Sequence, residues 1–148
     1  MRRLIPLFLF FIMVLSACDQ NKSVLAQITP PPNPEPGKAT VVGQVLDIKT
    51  GQPLTDVVVR LADVYREGEG GMFLLNFATS PGARTDAKGF FVMTNIKPGE
   101  YVMAVGDGEN LNDYDVIEDE KTGNAKIWQA VVDQISDWGV TKAQVLFR

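Results

Sequence analysis

Residues 39–61 read ATVVGQVLDIKTGQPLTDVVVRL, and this stretch decides the fold. Its first nine residues alternate, with Val42 and Leu46 on one face and Val41 and Val45 on the other, the two-residue period of an extended strand. Lys49-Thr50-Gly51-Gln52-Pro53 then supplies turn chemistry, in which Gly51 is free to take a positive φ. Residues 56–61 return with Val57, Val59 and Leu61 on a single face. The same grammar continues outward. A loop carrying Gly68, Gly70 and Gly71 leads to an apolar run at 72–78, and Ser80-Pro81-Gly82 follows it. Thr85 to Gly89 turns into 90–94, and Asn95 to Gly99 turns into 100–106. Residues 114–119 and 142–147 read as further strands. Strand-length runs punctuated by turn residues predict an all-β sandwich.

One segment admits two readings. In residues 125–139, Ile127, Val131, Ile135 and Trp138 recur at helical spacing, with Gly139 as a stop. Thr122-Gly123-Asn124 before it reads as a hairpin turn, and Ile127, Trp128, Val131 and Val132 are good strand formers. A second sheet needs strands here, so strand is the expectation and helix the alternative. Trp128 and Trp138 are expected in the core under either.

The motifs Gly43-x-Val45-x-Asp47, Thr50-Gly51-x-Pro53-Leu54 and Val57-x-Val59-x-Leu61 are followed by two more. These are Thr85-Asp86-x-x-Gly89-Phe90-Phe91 and Ile96-Lys97-Pro98-Gly99-Glu100-Tyr101. In this order they resemble the carboxypeptidase regulatory-like domain, well over residues 40–106 and weakly over the last forty. The resemblance implies a seven- to eight-stranded prealbumin-like (transthyretin-type) Greek-key β-sandwich over residues 38–148. It implies little about function, because these are turn and core signatures. Asp86 is placed to hydrogen-bond its own turn, and Tyr101 to pack its ring with the hydroxyl at the rim. The chemistry of similar folds finds no counterpart in the residues. Zinc carboxypeptidases catalyse in a separate domain with His and Glu ligands, and transthyretin-type hydroxyisourate hydrolases depend on histidines. Cna-B-type sandwiches lock a Lys to an Asn, and the expected strand 142–147 holds no asparagine.

Composition agrees. The 148 residues are 45% hydrophobic and 22% charged, carry a net charge of −4, and include one cysteine and no histidine. One domain of ordinary size fits that length. The acidic balance argues against a nucleic-acid partner, which needs a basic face for phosphates. Without histidine no Ser-His-Asp or Cys-His system and no His-ligated zinc can be built. Read as a calcium loop, residues 107–118 offer Asp107, Glu109, Asp113, Asp115 and Glu118, but Leu111 stands at a ligand position and Asn112 at the turn glycine. A looser calcium site stays open beside the simpler reading, a solvated acidic loop. Ser23, Ser80 and Ser136 sit in no nucleophile motif.

The N-terminus reads as an address. Arg2 and Arg3 precede twelve uncharged residues, 4–15, too short for the roughly 18–20 that span a bilayer. Leu15-Ser16-Ala17-Cys18 follows and resembles the bacterial lipobox, whose cysteine becomes the acylated N-terminus. The resemblance implies a lipoprotein signal peptide over 1–17 and diacylglyceryl and fatty acyl groups on Cys18. Each buried methylene contributes about 0.8 kcal/mol, so two or more chains anchor stably where one does not. Loss of Arg2 and Arg3 would move the side-chain charge from −4 to −6. Asp19 resembles the inner-membrane retention signal of some Gram-negative bacteria, and cell membrane and outer membrane both stay open. Residues 18–37 hold five of the nine prolines between Pro30 and Pro36 and are expected to form a disordered, extended spacer reaching at most about 60 Å.

The functional expectation is a lipid-anchored extracytoplasmic module without catalysis or cofactor, binding an envelope protein or a polysaccharide. The alternative is a transthyretin-type small-ligand carrier or hydrolase.

Overall fold

The computed structural model describes residues 23–68, 70–108 and 113–145. The expected signal peptide, Cys18 and Glu109 lie outside them. Nine strands form among the described residues: β1 (Ala39–Asp47), β2 (Val58–Glu67), β3 (Gly70–Leu74), β4 (Gly82–Arg84), β5 (Phe90–Ile96), β6 (Gly99–Gly106), β7 (Asp115–Val116), β8 (Ile127–Ala130) and β9 (Ile135–Ala143). They make two facing sheets, one ordered β5-β1-β9 and one built on β3-β2-β6-β7. The all-β sandwich read from the sequence is therefore the fold. Among the described residues no helix is long and apolar enough to cross a membrane.

Nine strands rather than seven or eight arise because two edges are each filled in two pieces. β3 and β4 both pair with β2, and β7 and β8 both pair with β6. Four expected strands change bounds by more than two residues, the first being 56–61, which runs on as β2 to Glu67. The run 72–78 pairs only to Leu74, after which Asn76 and Ser80 fold a loop through Ser80 Oγ, which accepts from Asn76 N at 3.0 Å. The run 114–119 is reduced to β7 and a bridge between Glu118 and Ala125. The last strand starts earlier, at Ile135, and pairs parallel to β1.

The ambiguous segment is strand. Asp133, at φ 58, lets the chain leave β8 in one sheet and enter β9 in the other, so the apparent helical period spans two strands and their turn. Trp128 and Trp138 stack across this crossing at 5.7 Å between centroids, both buried.

The core is the inward set from both sheets: Val41, Val45, Phe91 and Met93 against Val57, Val59, Leu61, Tyr101, Met103 and Val105. Val42, on the other face of β1, is equally buried, with Val24 and Phe90. This second cluster corrects the expectation of a free spacer over residues 23–37. Val24–Ala26 form a 3-10 turn, and Val24, Leu25 and Ile28 pack against Val42, Phe90, Ile135 and Val140 on the outer face of the three-stranded sheet. The physical reason is mutual apolar surface: a strand apolar on both faces leaves one to be covered. Farther along, Pro32 O accepts from Thr40 Oγ1 at 3.4 Å, Glu35 pairs with Asn95, and Gly37 N donates to Asp133 Oδ1 at 2.6 Å.

Candidate functional site

Two turns with one sequence pattern frame one end of the sandwich. Asp47-Ile-Lys-Thr-Gly51 and Asp119-Glu-Lys-Thr-Gly123 share D-x-K-T-G. In the first, Asp47 Oδ1 accepts from Lys49 N, Thr50 N and Thr50 Oγ1 at 3.1, 2.7 and 2.8 Å. In the second, Asp119 Oδ1 accepts from Lys121 N, Thr122 N and Thr122 Oγ1 at 3.1, 3.0 and 3.1 Å. Gly51 and Gly123 close them at φ 69 and 68. Backbone and side-chain hydrogen bonds from Thr50, aided by Lys49, hold the Asp47 carboxyl below its ordinary value, and those from Lys121 and Thr122 do the same for Asp119. The repetition has a sequence signal, five-residue self-similarity, that strand-and-turn reading passes over.

Beside these turns lies an open groove of about 860 Å³, between the lower half of β1 and β9 and the segment 115–123. Leu46, Ile48 and Val140 give it apolar surface, while Glu118, Lys121, Lys126 and Lys142 bring charge. Thr141 also lines it. Its Oγ1 is buried and has no hydrogen-bond partner among the described residues. An unpaired buried hydroxyl costs about 1–3 kcal/mol.

The calcium-loop candidates are spread along this region. Asp107 follows β6, Asp113 precedes β7, Asp115 lies in β7, and Glu118 forms the bridge to Ala125. Asp115 Oδ2 accepts from Gln144 N at 2.9 Å, tying β7 to the end of β9. Among the described residues no three acidic side chains converge to hold a metal. Asp115 and Glu118 instead line the groove.

A second polar focus holds the N-terminal segment. Asp137 Oδ2 accepts from Ser23 Oγ at 2.6 Å and Leu25 N at 3.2 Å, while Oδ1 accepts from Gly139 N at 2.9 Å. Burial pushes the Asp137 carboxyl up, but the hydrogen bonds from Ser23, Gly139, Leu25 and Val24 outweigh it and leave the group below its ordinary value.

No family model and no curated protein matches the chain. Among solved structures it is similar to a DUF3823 family protein from Bacteroides uniformis, at 17% identity and a TM-score of 0.40, over 71% of this chain and 42% of that one. It is also similar to the group B streptococcus pilus 2b backbone protein, at 11% identity and a TM-score of 0.40, over 72% and 42%. A third similarity is to the 5-hydroxyisourate hydrolase of Klebsiella pneumoniae, at 22% identity and a TM-score of 0.32, over 73% and 93%. The chain spans less than half the length of the first two.

Proposed function

We propose that the chain is a lipid-anchored, extracytoplasmic, non-catalytic binding module of the bacterial cell envelope, held by acylated Cys18 and presenting its groove to a protein or polysaccharide. The observation that supports this reading best is how the groove's acids are used. Of the four acids that line it, Asp119 accepts from its own turn and Asp115 from Gln144 N, so two carboxylates serve the fold while Glu118 and Glu120 stand exposed. What faces outward is apolar surface and scattered charge, with one hydroxyl, unpaired among the described residues, buried beneath them. That is the chemistry of recognition, with a few polar groups fixing orientation against an apolar wall.

Crosslinking mass spectrometry on intact cells, comparing wild type with Cys18→Ala, tests the proposal. A discrete partner joined through Lys121, Lys126 or Lys142 only in the anchored form supports it. An acylated protein with no specific crosslink would remove the binding half. A Cys18→Ala protein that still partitions with the membrane would remove the anchor.

A further inference from the structure

Six of the exposed large apolar side chains gather at the end of the sandwich opposite the groove. β2 makes its last pair with β6 at Asp63 and Tyr101 and then runs on with β3 as a two-stranded ribbon. On that ribbon Tyr65, Met72, Phe73 and Leu74 are 53, 67, 42 and 56% exposed. Beside it, Gly99 at the start of β6 pairs with Ala130, and the turn that follows exposes Val131 and Val132 at 36 and 47%. The other three exposed large apolar residues among those described, Ile48, Val92 and Ile127, stand on separate elements. An apolar cluster confined to one end marks a contact surface, whereas scattered residues do not.

The N-terminal segment says what this end meets. Its first described residue, Ser23, is bound to Asp137, the third residue of β9, immediately beyond the turn that carries Val131 and Val132. Only residues 19–22 separate Ser23 from Cys18, a reach of at most about 18 Å even fully extended. With residues 23–28 packed on the sheet, little of the expected 60 Å spacer is left to lift the domain. Tyr65 suits the boundary, since its apolar ring and polar hydroxyl match an interface between lipid and water.

We infer that this end, the β2–β3 ribbon with the β8–β9 turn, rests on the lipid surface in which Cys18 is anchored, so that the groove opens away from the membrane. The inference rests on the acylation of Cys18 proposed above.

The test uses the full acylated chain in vesicles of equal parts phosphatidylethanolamine and phosphatidylglycerol. Acylation leaves the single native cysteine without a free thiol, so Phe73→Cys, Val132→Cys and Ile48→Cys each accept one fluorophore. Nitroxide-bearing lipids are expected to quench the labels at 73 and 132 at least about twofold more than the label at 48, as for side chains seated in the headgroup region. Equal and weak quenching at all three positions, in protein that floats with the vesicles and carries the acyl mass on Cys18, would overturn the docking and leave the anchor standing. Labels at 73 and 132 that are shielded from aqueous iodide yet unreached by the nitroxide lipids would also overturn it, because protein then covers this end. Protein that neither floats nor carries the acyl mass would overturn anchor and docking together.

Discussion

The Phe91 ring occupies the space above Gly43: a Cβ built on Gly43 would lie 2.6 Å from Phe91 Cε1 and Cζ. The two residues are direct partners across β1 and β5, so the ring fills its neighbour's missing side chain. Gly43→Ala is therefore expected to destabilise the fold by about 1–3 kcal/mol through overpacking. Denaturant unfolding checks this, and Gly43→Ala with Phe91→Leu should cost less than the two single changes summed.

Tyr101 donates its hydroxyl to Lys97 O at 2.6 Å from an almost fully buried ring. Tyr101→Phe should cost about 1 kcal/mol, the net worth of that hydrogen bond. Burial, with the Asp63 charge beside it, pushes the phenol above its ordinary 10.0. A raised pKa means this contribution is complete below pH 10.0 and is lost as pH rises through the folded value. Unfolding midpoints measured above pH 10 should thus fall less steeply in Tyr101→Phe than in wild type.

Asp137 gathers the N-terminal segment, and its lowered pKa carries the opposite sign. Docking is supported at neutral pH and lost as pH falls below the ordinary 3.8 toward the folded value. Amide exchange of residues 24–28 should accelerate in that window while the β1 and β6 amides stay protected. Asp137→Ala should produce the same acceleration at neutral pH, and Val24→Ser should do so without removing the carboxylate.

The twin D-x-K-T-G turns make a paired prediction. Asp47→Ala and Asp119→Ala should each lower the melting temperature and speed exchange at the two amides each carboxylate holds, with Asn in place of Ala restoring part of the protection. Only Asp119→Ala should change crosslinking at the groove, since Asp119, Lys121 and Gly123 line it.

What the sequence makes legible is whatever a local rule controls. Val41 and Val45 face the core because strands alternate, Gly51 takes φ 69 because its turn needs it, and Asp86 accepts from Lys88 N and Phe90 N within its own loop. What stays hidden depends on partners distant in the chain. Val42 reads as a strand's second face, but nothing local says that Val24 covers it. Ile127 to Trp138 mimics a helix because two strands of different sheets happen to follow one another at that spacing. The groove draws Leu46, Thr141 and Lys121 from three separate stretches, and nothing local marks Thr141, whose hydroxyl has no partner among the described residues.

The docked N-terminal segment also has a mechanical meaning. When the molecule is held at its N-terminus and pulled at the groove, load falls first on Ser23–Asp137 and the Val24 socket, before any strand is strained. Peeling residues 23–37 off the sheet would pay out roughly 50 Å of chain while β1 keeps its pairing with β5 and β9. The proline-rich stretch is thus a stored length, and the domain yields under tension before it unfolds.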